Sequence, residues 1–459
     1  MDFDRILKNI GEFGRQQKQQ FVVVSTICSF WGPPHMLCLA FAGITPDFHC
    51  RGQGNIADDD VCARDCQRYF YNKEITSIAT EWDLVCSESY KVGLAQSMYM
   101  LGVLCGSYVF SFISDTYGRR KAFYLSTCFL TLFALSSALA TSYQMFVALR
   151  FFTAMCNGGV GLTGFILATE TIGPKYRALA GTLVQVQFAL GIVVYGILAY
   201  FVRDWRYLIG LSTAPGLVFL MSYWIVPESP RWLITKGRTQ EAEDILHYIA
   251  IKNGAKTKLG LVHVEDHNKK PNQPPAKIYG FLDLFKSSEI RKRMLIMIYT
   301  WFTCSMVYYG LTMNASQLGG NRYLNFMLSG IVELPAYFVC MLFIDRSGRR
   351  KTLFWSMILG GSACLLLLVI PDSLDYSSSF KTMFALIGKM GISLAFNVIY
   401  IYAAELIPTV LRLEWLSGLS KYLSFANFAY QIGKKHMKTT LLAVISHAGL
   451  SGKGSRCNS

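Results

Sequence analysis

Apolar residues fall along this chain in blocks of about 20 between short charged segments, and at 1.5 Å per helical residue each block matches a hydrocarbon thickness of about 30 Å. Ten blocks are clear, at 21–44, 92–114, 122–141, 143–168, 178–202, 205–226, 294–313, 323–344, 352–371 and 382–404. A further stretch at 413–431 is interrupted by Glu414 and Lys421, and one at 440–450 is too short to cross. Ahead of the first block, Phe3, Ile6, Leu7, Ile10 and Phe13 recur at helical spacing. They predict a short amphipathic helix, lying on the membrane surface or packed against the bundle. The pattern as a whole predicts an all-α polytopic membrane protein.

Composition agrees. Of 459 residues 52% are hydrophobic and only 16% charged, against about 25% charged in soluble domains, and the mean hydropathy is +0.33. The polar first twenty residues are followed by no short apolar core with a small-residue cleavage site, so no cleaved signal peptide is expected. Lys and Arg number 44 against 29 acidic residues, a net charge of +15. Such an excess often marks a polyanionic partner. Here it falls where one face of a membrane protein needs it.

Placing the N-terminus in the cytosol puts Arg119, Arg120, Lys121, Lys175, Arg177, Arg346, Arg349, Arg350 and Lys351 inside, as the positive-inside rule requires. The long segment 227–293, with 13 basic and 8 acidic residues, then also lies inside. Nucleic-acid binding is therefore not needed to explain the charge. The segment 45–91 faces outward with nine acidic and five basic residues, and carries Cys50, Cys62, Cys66 and Cys86. Four cysteines there suggest two disulfides, with three connectivities open. The sequon at Asn314 abuts the end of the seventh span, a poor place for a glycan that favours surface loops.

The chain carries an internal duplication. Asp115-Thr116-Tyr117-Gly118-Arg119-Arg120-Lys121 follows the second span and Asp345-Arg346-Ser347-Gly348-Arg349-Arg350-Lys351 follows the eighth, 230 residues later. Glu170, Pro174 and Arg177 after the fourth span return as Glu405, Pro408 and Arg412 after the tenth. Topology anchoring alone explains the basic residues but not the Asp, the Gly or the repetition. Gly permits a tight turn, and Asp pairs with Arg or a helix terminus, so breakable ion pairs on one face suit an alternating gate.

This repeated D-x-x-G-R-R-K resembles the signature of the major facilitator superfamily, whose two six-helix halves rock about a substrate held near the membrane midplane. The match implies a cytosolic segment 1–20, a first bundle 21–226 with its outer loop 45–91, a central cytosolic loop 227–293, a second bundle 294–412 with four clear spans, and a divergent tail 413–459. The second bundle therefore reads as incomplete. Further stretches, Phe3-Asp4 to Gly14, Thr45-Pro46-Asp47, Glu228-Ser229-Pro230-Arg231-Trp232-Leu233 and Ala404-Glu405-Leu406, resemble the organic cation, anion and zwitterion (carnitine) transporter family, over residues 3 to about 412.

Glu333 stands in the middle of the eighth span, where a carboxylate costs about 2.5–3.5 kcal/mol on insertion scales. A substrate or coupling-ion role competes with a structural pair to Arg150 or Lys389. The resemblance implies that Glu333 belongs to the substrate site, as do Trp301 and Tyr308, two turns apart on the seventh span, Gln185 and Phe188 on the fifth, and Asn397 in the tenth. Aromatic faces attract a quaternary or protonated amine by about 0.5–2 kcal/mol, while ordinary packing is the competing role for each. Tyr337 stands where the anion branch often carries Lys, which favours a cation or zwitterion. Arg150 and Lys389 pair with Glu333, attract an anionic group or snorkel outward. His35, after Pro33-Pro34, faces a cavity or is a satisfied structural residue.

Some text matches carry no chemistry. Gly159-x-Gly161-x-x-Gly164 spells a dinucleotide fingerprint but lies inside a span with no strand before it, so close helix packing explains it, as for Gly102-x-x-x-Gly106. No G-x-x-x-x-G-K-[ST], no G-x-S-x-G and no His/Cys metal cluster occurs in the sequence. No cofactor and no enzymatic activity are expected. The expected function is a plasma-membrane carrier of small organic cations or carnitine-like zwitterions, with or without a coupling ion. Asp115, Gly118, Arg119, Arg120, Glu170, Arg177, Glu228, Arg231, Asp345, Gly348, Arg349, Arg350, Glu405 and Arg412 would form its gates. The alternatives are an organic anion carrier of the same family and a non-transporting regulatory isoform.

Overall fold

The computed structural model describes residues 3–50, 69–72, 74–255, 288–318, 320–370 and 377–406. Cys62, Cys66, Arg412 and the tail 413–459 lie outside them.

All ten apolar blocks lie in helices, and nine helical segments among the described residues are long and apolar enough to cross a membrane. The second to fifth spans are continuous over Tyr90–Tyr117, Arg119–Ala138, Tyr143–Thr169 and Pro174–Phe201. The seventh, ninth and tenth run Ser288–Asn314, Arg349–Val369 and Ser377–Leu406.

The remaining three spans break, each next to a proline. The first passes from Arg15–Ser25 through a π-helical turn, Thr26–Phe30, to short helices Gly32–Met36 and Leu39–Ala42 around Pro33-Pro34. The sixth divides at Ala214 before Pro215, into Trp205–Thr213 and Pro215–Met221. The eighth divides at Val332, two residues ahead of the Leu334-Pro335 step, into Arg322–Ile331 and Glu333–Ser347. Proline removes a backbone donor and clashes with the carbonyl four residues earlier, which here is Ile331.

Small residues set how close the spans come. A Cβ on Gly102 would run into the carbonyl of Phe151, and one on Gly106 into that of Met155, so the second and fourth spans touch backbone to backbone. Gly159 and Gly164 pack likewise on Phe110 and Cys28. Gly161 behaves differently from the packing expected of it: a Cβ there would meet nothing within 4 Å, and the residue lines the central cavity.

The amphipathic N-terminal helix, Phe3–Ile10, packs inward. Ile6, Leu7 and Ile10 are buried against Leu246, Ile249 and Ala250 of the helix Thr239–Asn253. Asn253 ties the two together, donating to the Ile10 carbonyl at 3.0 Å and to Gln17 at 2.9 Å while accepting from the Gln16 amide at 3.2 Å. At the far end, Arg206 donates to the carbonyls of Ala138 and Ala140 and pairs with Glu81. A short antiparallel ribbon pairs Phe48–Cys50 with Tyr69–Tyr71 there.

Candidate functional site: an aromatic cavity between two groups of spans

A cavity of about 210 Å³ lies between the first, second, fourth and fifth spans and the seventh, eighth and tenth. The first group contributes Ser29, Gly32, Met36, Asn157, Phe165, Gln185 and Phe188, the second Tyr308, Tyr309, Tyr337, Phe396 and Tyr400. Every residue that the second group contributes to this wall is aromatic. Among the described residues no carboxylate lines the cavity.

Glu333 sits just behind that wall, fully buried. It accepts from Tyr308 Oη at 2.8 Å and from Tyr337 Oη at 2.7 Å, and Lys389 Nζ lies 2.9 Å from its Oε1. Lys389 also donates to Thr312. Of the partners open to Glu333 in the sequence, the structure thus gives it Lys389. Arg150 is elsewhere, donating to the His35 carbonyl at 2.6 Å and lying over the Tyr99 ring at 4.3 Å. His35 is buried with its ring edge-on to Trp31 at 4.7 Å and its Nε2 without a hydrogen-bond partner.

Away from the repeated basic loops, aromatic contacts close the gap between the two groups. Phe41 stacks on Tyr323 at 5.5 Å and meets Phe326 edge-on at 4.8 Å, and Tyr195 adds an edge contact to Phe326 at 6.2 Å. Ser316 donates to the Ala40 carbonyl at 3.1 Å and Tyr309 to Met36 Sδ at 3.3 Å. Nearer the other end, Asn397 reaches Thr182 at 3.4 Å.

At the basic-loop end the first group carries a polar lattice. Gly118 takes φ +114°, a conformation that only glycine adopts cheaply, and turns the chain so that Arg119 pairs with Asp115 at 2.6 Å and faces Glu170 at 3.7 Å. Glu170 accepts from Ser229. Glu228 Oε1 accepts from the amides of Arg120 and Ser229, both at 2.9 Å, and Trp232 donates to the Asp115 carbonyl at 3.1 Å. Asp4 bridges Arg177 at 2.7 Å and Arg231 at 3.6 Å. Burial pushes the Glu170 carboxyl above its ordinary range, with Arg119 and Ser229 pulling against it.

The duplication is visible in the backbone of the second group. Gly348 also has positive φ, +79°. Arg349 donates to the carbonyl of Ile344 as Arg119 donates to that of Ser114, each five residues back.

A family model described as "Sugar (and other) transporter" matches residues 59–432. "Solute carrier family 22 member 15-like" of Xenopus laevis is 36% identical over 416 residues, covering 90% of this chain and 83% of that protein. The chain belongs to solute carrier family 22.

Other family 22 relatives include "Organic cation transporter protein" of Drosophila melanogaster, 33% identical over 90% of this chain and 83% of its own length. "Solute carrier family 22 member 2" of Rattus norvegicus is 32% identical over 89% and 83%. Among solved structures, the major facilitator proton:xylose symporter XylE superposes with a TM-score of 0.67 at 17% identity, 95% of each chain covered. The chain is thus a membrane transporter of the major facilitator fold, not an enzyme.

Against that family frame the expected site residues divide. Tyr308, Gln185 and Phe188 line the cavity. Trp301 is buried behind it, 4.6 Å from the Tyr400 ring and 5.9 Å from Phe396, and Asn397 lies between the groups at Thr182. Of the gate residues, Asp115, Gly118, Arg119, Arg120, Glu170, Arg177, Glu228 and Arg231 come together, while the side chains of Asp345 and Glu405 fall outside the description. Cys86 is disulfide-bonded, while among the described residues Cys28, Cys38, Cys105, Cys128, Cys156, Cys304 and Cys364 are free thiols. The Asn314 amide bonds back to the Gly310 carbonyl at 2.9 Å. Phe396 and Tyr400 escaped the sequence reading, although they share a helix face with Lys389, seven and eleven residues along.

Proposed function

We propose that this transporter carries small organic cations or carnitine-like zwitterions across the plasma membrane, its N-terminus in the cytosol, by alternating access between its two groups of spans. One observation carries the reading: rings from the fifth, seventh, eighth and tenth spans wall a single cavity between those groups. Aromatic faces hold a quaternary or protonated amine through the ring quadrupole, without the dehydration cost of a bare carboxylate. Glu333, its charge offset by Lys389, acts through the two tyrosines it orients. The relatives named for organic cation transport support the same class.

In this reading the lattice around Arg119, Glu170 and Asp4 keeps one end of the first group rigid while the aromatic contacts around Phe41 open and close the other. The decisive experiment is uptake into cells or liposomes of a quaternary amine, carnitine and an aromatic carboxylate, with and without sodium, normalised to protein at the surface. Accumulation of the amine or carnitine but not the carboxylate is expected. Uptake of the carboxylate alone, or of nothing by properly delivered protein, overturns the proposal.

A further inference from the structure

Several hydroxyl protons on the cavity wall are already committed. The hydroxyl protons of Tyr308 and Tyr337 go to Glu333. Ser29 donates to the Val184 carbonyl at 2.6 Å, and Tyr309 to Met36 Sδ. The negative charge behind the wall is offset by Lys389. A cation entering the cavity therefore meets ring faces, hydroxyl oxygens and the amides of Gln185 and Asn157.

Asn157 is the wall amide whose pose a neighbouring tyrosine fixes. Its Nδ2 donates to Tyr99 Oη at 2.9 Å, which leaves Oδ1 as the acceptor toward the cavity it lines. Tyr99 is fully buried, and Arg150 covers its ring while anchored to the His35 carbonyl. Three residues on three spans thus hold one amide in place. A buried arginine without a carboxylate partner among the described residues is an expensive support for a tyrosine, unless the tyrosine positions something that matters.

We propose that Asn157 is a specificity-determining contact, its Oδ1 accepting a hydrogen bond from an N–H-bearing ammonium, and that Tyr99 and Arg150 are positioning residues for it. The proposal rests on the transport reading above and narrows its substrate class. A quaternary ammonium has no N–H to donate and is held by the rings alone. A primary, secondary or tertiary ammonium gains a charge-assisted hydrogen bond in addition.

The test uses a tertiary ammonium and its N-methylated quaternary counterpart on wild type, Asn157→Leu and Tyr99→Phe. Asn157→Leu should raise the KM of the tertiary ammonium about tenfold, the scale of a hydrogen bond to a charged group, and change that of the quaternary by less than about twofold. Tyr99→Phe, which keeps the ring and frees the amide, should raise the tertiary KM by a smaller factor and spare the quaternary. Equal losses for both probes, or none, overturn the proposal.

Thermal stabilisation of the purified protein by the same two probes separates this inference from the transport reading. If wild type carries neither probe but is stabilised more by the tertiary, and Asn157→Leu abolishes that difference, the transport reading fails and the Asn157 contact stands. If the difference survives in Asn157→Leu, the contact is refuted whatever the uptake shows.

Discussion

Lys389 Nζ lies 2.9 Å from Glu333 Oε1 and 3.1 Å from the centre of the Tyr308 ring, so one ammonium joins the eighth span to the seventh and tenth. Both charges are out of reach of solvent. Removing one partner from such a pair leaves the other buried and uncompensated, at a cost of about 3–5 kcal/mol, whereas replacing both is often nearly neutral. Glu333→Gln should therefore sharply reduce folded protein at the membrane, and Glu333→Gln with Lys389→Met should recover most of it. Thermal unfolding of the purified variants checks the order, and equal loss in single and double variants contradicts it.

Phe188 and Trp301 separate under mutation because only the first lines the cavity. Phe188→Leu should raise the KM for a quaternary amine by about twofold to thirtyfold, the range of one cation–π contact, without lowering surface expression. Trp301→Leu loosens Phe396 and Tyr400 from behind. It should lower folded protein and shift the KM of all substrates together, and concentration-dependent uptake corrected for surface amount distinguishes the two patterns.

The two duplicated turns should respond unequally to alanine. Both glycines combine positive φ with extended ψ, a region essentially restricted to glycine, so each alanine brings backbone strain of about 1–3 kcal/mol. At Gly118 the new Cβ also meets Glu228 and Trp232, whereas at Gly348 nothing lies within 4 Å. Gly118→Ala should lower the unfolding temperature clearly more than Gly348→Ala. Equal shifts would mean that the Glu228 contact gives way freely.

Glu170 gives the molecule a stability that depends on pH. Burial raises its pKa from the ordinary 4.5, against the pull of Arg119 and Ser229. A carboxyl raised in the folded state contributes stability that is complete below its unfolded value and lost as pH rises through its folded one. The unfolding temperature of wild type relative to Glu170→Gln should therefore fall as the pH rises above 4.5. Parallel profiles would count against the buried placement of Glu170.

The bilayer made much of this architecture readable from sequence. A crossing helix must be apolar for about 20 residues, and the repeated Gly-Arg-Arg-Lys turns fixed where the spans reverse. What the sequence left open were pairings across long separations. Lys389 is 56 residues from Glu333 and Arg150 is 183 away, and only packing decides between them. The N-terminal helix met its partner beyond residue 239 for the same reason: an apolar stripe shows that a face will be covered but not by what. Asn157 was hidden differently, since an asparagine inside a glycine-rich stretch carries no signal until Tyr99 and Arg150 are seen holding it.

The contact of Phe41 with Tyr323 and Phe326 is ring on ring. Parting those rings exposes apolar surface to water, which carries a large heat-capacity change and a driving force that grows weaker on cooling. The lattice around Asp4, Arg119 and Glu170 answers instead to ionic strength where it meets solvent. Temperature and salt are thus separate handles on the two ends of this transporter: chilling should loosen the ring-lined end, and added electrolyte the charged one.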